Sequence, residues 1–215
     1  LHGSSQAMNM AEDAHIDKQT DHKRNRPIPS GVISEEEARS LAWIFMFLGV
    51  ARAFTINTQF GLFSVILALL GIFYNLDPIR AKKHLWVNLV WQAASRGLLL
   101  YPAAFAVWGA GFTPTPWGMG VVAFFLVLSL QNSADLPDIE MDRKYDIITP
   151  AVYHGPRKLV EIMLGIALIM FGVFIMFIEY SIIPNFWSIY LLSIPIGLSL
   201  AYLWHNPKGV SSISG

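Results

Sequence analysis

The sequence contains no cysteine and little charge. Only 14% of its 215 residues are charged, whereas a soluble domain carries about 25%. The absence of cysteine excludes a disulfide framework, a thiolate metal site and a cysteine nucleophile. The formal net charge of +0 gives no overall field that would attract nucleic acid. A soluble globule and a nucleic-acid-binding protein are therefore both disfavoured.

Hydrophobic residues, in contrast, make up 54% of the chain and gather in long runs. Crossing a bilayer takes about 20 helical residues. The runs are continuous rather than alternating, which favours helices over strands. We predict an all-α integral membrane protein with about six complete transmembrane helices. The runs cover 41–57, 60–74, 87–111, 117–133, 159–179 and 184–204. The short run 60–74 predicts either a tilted span or a tight helical hairpin over 41–74.

The charges are confined to few places. Three stretches, 1–40, 75–86 and 134–158, hold 25 of the 30 charged residues. Threading the six spans through a membrane puts all three stretches on one side. The excess of Lys and Arg there predicts that this side is cytoplasmic. The same side holds 13 of the 15 acidic residues, which the topology rule does not explain.

The acidic residues form two clusters with helical spacing. Asn9, Asp13 and Asp17 are four residues apart, so they share one face of a helix. In the second cluster Asp138 and Asp142 are also four apart, with Asp135 one turn earlier. Like charges at this spacing destabilise a helix unless a cation joins them. Carboxylate and amide oxygens suit Mg²⁺ bound together with substrate phosphates. Two facing clusters predict a site for magnesium ions and one diphosphate.

A second interpretation treats both clusters as solvated loops neutralised by neighbouring bases such as Lys18 and Arg143. A single cluster would favour this interpretation. Two clusters with the same spacing on one membrane face favour the metal site.

At these residues the sequence resembles the UbiA superfamily of intramembrane prenyltransferases. Asn9, Asp13 and Asp17 match its first acidic motif, and the segment 26–31 (RPIPSG) matches the loop that follows. The segment 135–143 (DLPDIEMDR) matches the second motif, and the loop from Tyr74 to Lys82 matches the stretch between the motifs.

The sequence also departs from the family pattern. Met10 stands where the family often has Asp, Ala134 replaces a frequent Lys, and Asp146 replaces a frequent Gly. The family has about nine transmembrane helices. We therefore expect residues 1–215 to be a single transmembrane prenyltransferase domain that is truncated at the N-terminus and at the C-terminus.

The resemblance implies a Mg²⁺-dependent enzyme that transfers a polyprenyl group from a prenyl diphosphate to a lipophilic acceptor. Asp13, Asp17, Asp138 and Asp142 would be the catalytic carboxylates. The metal ligands would be these four together with Asn9 and Asp135. Lys82, Arg143 and Arg26 would contact the diphosphate.

Further residues are candidates for the cavity. Tyr74 and Tyr145 border the acidic clusters, where their rings could stabilise an allylic cation. Asn88, Gln92 and Arg96 are polar, four apart, and lie within an apolar run, which makes them functional candidates.

Other functions stay open. Within the family, the alternatives are cyclisation of the prenyl diphosphate or elongation of a carotenoid. From another class, a cation-coupled transporter would use the acids as an ion pathway. The acceptor, an aromatic quinone precursor or a membrane lipid, is not decided by the sequence.

Overall fold

The computed structural model describes residues 1–19, 23–131, 133, 136, 139–144, 148–184 and 193–206. Within these ranges the chain is helical and has no β-strand, which confirms the all-α expectation. The chain divides into two compact units. Unit 1 comprises Leu1–His84 and Pro102–Gly111, and unit 2 comprises Leu85–Tyr101 and Phe112–Gly215.

Unit 1 is built around a hairpin of two long helices. Helix α1 covers His2–Glu12 and α2 covers Ala14–Asp17. The hairpin consists of α3 (Glu35–Ile56) and α4 (Thr58–Asn75), joined by Asn57 alone. The tight hairpin that the run 41–74 predicted is therefore present.

Helix α3 begins six residues before the predicted run because its start is capped. The hydroxyl of Ser34 accepts from the Glu37 amide at 3.2 Å, and the Glu37 carboxylate accepts from the Ser34 amide at 2.9 Å. This capping box satisfies amides that would otherwise have no partner at the helix start. The charged segment 35–39 is thereby included in the helix.

Helix α1 packs against both helices of the hairpin. The contact is an apolar cluster of Met8, Ala42, Met46 and Ala68. A second cluster, Ala11, Ala14, Ile28 and Ala38, holds the loop after α2 against the starts of α2 and α3. Burial of these side chains stabilises the unit, at about 25 cal/mol per Å² of apolar surface.

The run 87–111 was predicted as one continuous helix, and this is wrong. It forms α5 (Leu85–Ala93), a π-helical segment (Ala94–Leu98) and α6 (Leu100–Ala106). Gly97 lies in the π segment, where a Cβ atom would be 2.7 Å from the Ala123 carbonyl oxygen. The backbone of the π segment therefore lies in close contact with the backbone of the helix that contains Ala123. Pro102 falls in the first turn of α6, where its missing amide leaves no hydrogen bond unmade.

Unit 2 contains its own buried apolar cluster, formed by Leu136, Ala151, Leu159, Val160, Met163 and Ala167. The described residues of unit 2 also form α7 (Pro114–Leu130), α8 (Ile139–Lys144), α9 (Pro150–His154), α10 (Pro156–Glu179) and α11 (Ser193–His205). The hydroxyl of Ser129 on α7 donates to the Met163 carbonyl on α10 at 2.8 Å.

Three helices in the described ranges are long and apolar enough to cross a membrane: α3, α4 and α10. Helix α7 is apolar but shorter. The predicted number of about six spans stays a prediction.

Candidate metal and diphosphate site

The first acidic cluster meets a lysine in unit 1. The ammonium nitrogen of Lys82 lies 2.6 Å from Oδ1 of Asp13 and 3.2 Å from Oδ1 of Asn9. The side chain of Lys82 is only 11% exposed and that of Asp13 is 26% exposed. Partial removal from water strengthens this pairing relative to a surface ion pair.

The loop after α4 delivers Lys82 to this position. Helix α4 ends at Asn75, and the amide of Arg80 then donates to the Leu76 carbonyl at 2.9 Å. Arg80 adopts a left-handed backbone with φ 41°, and a short 3₁₀ helix follows over Ala81–Lys83. The Asp77–Pro78 peptide bond in this loop is cis. The chain thus turns back from α4 so that Lys82 reaches α1.

Asp17 belongs to a separate ion pair. Its Oδ2 atom accepts from Nη1 of Arg26 at 2.8 Å, and the Asp17 side chain is 6% exposed. Arg26 is held by the loop 26–33, where the Val32 and Ser30 amides donate to the Pro27 and Arg26 carbonyls. Two of the predicted diphosphate contacts, Arg26 and Lys82, therefore neutralise the two aspartates of the first cluster.

The prediction of one unbroken helical face over Asn9, Asp13 and Asp17 is wrong in detail. Helix α1 ends at Glu12, because Asp13 leaves the helical conformation with φ −98° and ψ 3°. The hydrogen bonds from the Asp13 amide to Asn9 and from the Asp17 amide to Asp13 are kept. The four-residue spacing survives, while each carboxylate has a different cationic partner.

The donor atoms of Asn9 and Asp13 fit a hard cation. Two oxygen atoms converge on one ammonium nitrogen, so they lie close enough together to contact a single cation. Within the described ranges, no group of three or more His, Cys, Asp and Glu side chains is close enough together to hold a metal. Asp135 and Asp138 lie outside those ranges, as does the side chain of Asp142, so the predicted second set of ligands stays a prediction.

The other predicted residues belong partly to unit 1 and partly to unit 2. In unit 2, Nε2 of Gln92 donates to Oδ1 of Asn88 at 2.8 Å, and Gln92 is buried. Arg96 is exposed in the π segment, so it does not share the burial of Gln92. Arg143 is exposed on α8. In unit 1, Tyr74 is half-buried. Tyr145 lies outside the described ranges.

Comparison with known proteins decides the family. The model of the UbiA prenyltransferase family matches residues 1–211. The chain belongs to this family. It is 34% identical over 164 residues to a probable homogentisate phytyltransferase 2, chloroplastic, of Oryza sativa subsp. japonica, covering 71% of this chain and 41% of that protein.

Two further comparisons extend this result. A digeranylgeranylglyceryl phosphate synthase of Methanoregula boonei is 31% identical over 177 residues, covering 81% of this chain and 58% of that protein. The chain thus spans about half the length of these relatives. A solved UbiA homologue from Archaeoglobus fulgidus bound to GPP and Mg²⁺ superposes with a TM-score of 0.74 at 22% identity, over 94% of this chain and 69% of that one. At this identity the superposition shows the shared fold.

The departure from the UbiA motif at Met10 has a packing role in this chain. Met10 is partly buried against the apolar cluster around Ala11 and Ile28. A carboxylate at this position would place a charge against apolar side chains, which is costly without a partner.

Sequence reasoning missed Asn75, which contacts α1. It is fully buried at the end of α4, and its Nδ2 atom donates to the Gly71 carbonyl at 2.9 Å and to the Ser5 carbonyl at 3.3 Å. A polar residue at the end of an apolar helix resembles an ordinary cap, so the sequence held no signal of this contact.

Proposed function

We propose that this chain forms the diphosphate-binding part of an intramembrane prenyltransferase. The enzyme would transfer a polyprenyl group from its diphosphate to a lipophilic acceptor, with Mg²⁺. The observation that supports the proposal most directly is the convergence of Asn9, Asp13 and Lys82 on one point. Membership of the UbiA family supports it independently.

The carboxylates would provide the metal site. Asn9 and Asp13 would hold one ion through the oxygens that now face Lys82, and Asp17 would join them when Arg26 turns to phosphate. Asp135, Asp138 and Asp142 would form the second set of ligands. Mg²⁺, when bound, supplies neutralisation of the charge that develops on the leaving diphosphate.

The bases would hold the diphosphate itself. Lys82 and Arg26 each neutralise an aspartate of the first cluster, and Arg143 is exposed on α8. Once a divalent cation neutralises the aspartates, the ammonium and guanidinium groups would donate to phosphate oxygens. Charge-assisted bonds of this kind are about twice as strong as neutral ones. The same pairs would therefore prevent repulsion in the free protein and bind substrate in the complex.

The reaction breaks the bond between the allylic carbon and the diphosphate oxygen, and the electron pair leaves with diphosphate. A nucleophilic atom of the acceptor then bonds to that carbon and loses its proton. Tyr74 and Tyr145 would face the developing cation, at about 0.5–2 kcal/mol per ring. The amide pair of Asn88 and Gln92, with Arg96 on the same run, would line the cavity and orient the acceptor.

The acceptor would be an aromatic quinone precursor or a membrane lipid. Relatives named for homogentisate and for digeranylgeranylglyceryl phosphate support these two classes. The enzyme would span the membrane about six times in this chain, with its acidic motifs on the cytoplasmic side. The concentration of basic residues in the same three stretches supports this orientation.

The test uses the full-length protein in membranes with labelled geranylgeranyl diphosphate, Mg²⁺ and a panel of aromatic and lipid acceptors. We expect an acceptor-dependent product and its loss in Asp13→Ala and Asp142→Ala. Glu36→Gln, at an exposed position on α3, is the control that should keep full activity. Diphosphate release that survives either aspartate change would contradict the mechanism. A cyclised product without acceptor would indicate a cyclase, and ion flux without prenyl chemistry would indicate a transporter.

A further inference from the structure

The place where α1 rests on α4 depends on small and polar residues. Ser5 on α1 lies against Gly71, where a Cβ atom would be 3.1 Å from the Ser5 hydroxyl oxygen and 3.2 Å from its Cβ. One turn further along α4, the amide of Asn75 reaches the Ser5 carbonyl at 3.3 Å and the Ser5 hydroxyl at 3.4 Å. The two helices are thus in contact at a notch shaped for one small side chain.

The same side of α1 carries Asn9, and Asp13 directly follows the end of the helix. Ser5, Asn9 and Asp13 are four residues apart, which is about 6 Å of helix rise per step. Asn75 binds Ser5 where the loop after α4 starts. Lys82, near the end of the same loop, binds Asn9 and Asp13. The loop therefore fastens α1 at two points along one stripe.

A shift of α1 by one turn would change the partners of Lys82. If α1 moved by four residues so that Leu1 took the place of Ser5 at Gly71, a larger side chain would have to enter the notch, and Lys82 would face Ser5 and Asn9. The carboxylate of Asp13 would then be lost from the site. The apolar contacts around Met8 do not prevent this shift as strongly, because a hydrophobic contact is non-directional.

Asn75 is not the residue that stability alone would favour. Its Oδ1 atom is buried and has no hydrogen-bond partner among the residues that the structure describes, and a buried acceptor left in this way costs about 1–3 kcal/mol. An apolar side chain of similar volume would remove that cost. A local rule broken in this way is typical of positions that serve a functional site.

We propose that Asn75, together with Gly71 and Ser5, is a positioning element that sets the register of α1 on α4 and thereby brings Asn9 and Asp13 opposite Lys82. Asn75 touches neither substrate nor metal in this role. Its effect on metal binding rests on the proposed function. Its effect on the register of α1 does not.

The test compares Asn75→Leu with the wild type, in the full-length protein in lipid nanodiscs. Binding of Mn²⁺ in the presence of inorganic diphosphate is followed by electron paramagnetic resonance, and amide hydrogen exchange is followed in α1. We expect half-saturation with Mn²⁺ to need about tenfold more metal, a factor that equals about 1.4 kcal/mol. We also expect faster exchange over His2–Glu12 while the melting temperature stays the same or rises.

Two further variants keep the test decisive. Gly71→Ala should weaken Mn²⁺ binding in the same way, and adding Ser5→Gly should restore it by reopening the notch. Ser129→Ala removes a buried interhelical hydrogen bond of unit 2 and should lower stability without changing either readout.

Unchanged Mn²⁺ binding and unchanged α1 exchange in Asn75→Leu would overturn the proposal. A wild type that binds no Mn²⁺ and forms no prenyl product would contradict the proposed function instead, and the exchange of α1 would still decide the register.

Discussion

The two ends of the α3–α4 hairpin are held by different kinds of interaction. At the end where α3 begins and α4 stops, oppositely charged side chains pair: Asp13 with Lys82, and Asp17 with Arg26. At the other end, neutral amides bind backbone groups. Asn57 donates to the carbonyls of Ala106 and Val107 at 2.8 and 2.9 Å, and the Gln59 side chain accepts from the Gly111 amide at 2.8 Å.

We call the end with the ion pairs the responsive end, because its charged groups could bind a metal ion or a phosphate. The end with the amide contacts is the passive end. An ion pair can exchange its partners for a metal ion or a phosphate, because each group stays charged when the other is replaced. A carboxamide bound to a backbone carbonyl has no such competitor. Arg52, the only charged residue between positions 40 and 76, is exposed and binds Thr55 on its own helix, and within the described ranges it forms no interhelical ion pair. We therefore expect function to depend on the charged end and stability to depend on both.

The largest effect is expected at Lys82. Lys82→Gln removes the ammonium group from Asn9 and Asp13 and from the proposed diphosphate contact. Loss of one preorganised charge contact typically costs about 100- to 1,000-fold in rate. Prenyl transfer in membranes should fall by that factor. Lys83→Gln is the matched control, since Lys83 is adjacent and exposed. Equal activity of the two variants would contradict the assignment of Lys82.

The next effect is expected at Arg26. Arg26→Ala leaves the carboxylate of Asp17 buried without its partner. We expect the free energy of unfolding to fall by about 2–3 kcal/mol, somewhat less than for a fully buried pair because Arg26 is partly exposed. Thermal unfolding in detergent measures this. Lys18→Ala, in an exposed pair with Glu35 at 3.8 Å, should cost less than about 1 kcal/mol. A similar loss in both variants would show that burial of Asp17 is not the cause.

A smaller effect, confined to stability, is expected at the passive end. Asn57→Ala removes the helix cap on the Phe60 amide and two bonds to the turn after α6. The cost should be about 1–2 kcal/mol in thermal unfolding. The metal concentration for half-maximal activity should not change. A change in that metal concentration would show that the passive end also affects metal binding, which would contradict the distinction between the two ends.

The smallest effect is expected at the start of α3. Ser34→Ala removes the capping box with Glu37 and should cost about 1 kcal/mol. Ser40→Ala, exposed one turn further into the same helix, is the control and should have no measurable effect on thermal unfolding. If both changes leave the melting temperature unchanged, the helix start contributes nothing and the ion pairs alone stabilise this end.

Sequence reasoning found the helices of the chain but misplaced several of their ends. Hydrophobic runs locate the parts of a helix that avoid water, so α4 and α10 were predicted nearly as they are. Charged first turns are invisible to that signal, which is why α3 starts at Glu35 rather than at residue 41. The π segment in 94–98 was missed because it accompanies the close contact of Gly97 with another helix.

The candidate site also contains residues that the sequence predicted and one that it did not. Asn9 and Asp13 were predicted from spacing, and Lys82 from resemblance to the UbiA family. Asn75 could not be predicted, because its contacts with Ser5 join positions 70 residues apart in the chain.

The sequence by itself determined that the described part of the chain is helical, because apolar runs follow from local order along the chain, and its motifs carried the resemblance to the UbiA prenyltransferase family. Only the tertiary structure decided which cation faces which aspartate. That choice depends on the turn after α4 and on the register of α1, and both arise from contacts between residues distant in sequence. Lys82 therefore lies with Asn9 and Asp13, and Arg26 lies with Asp17.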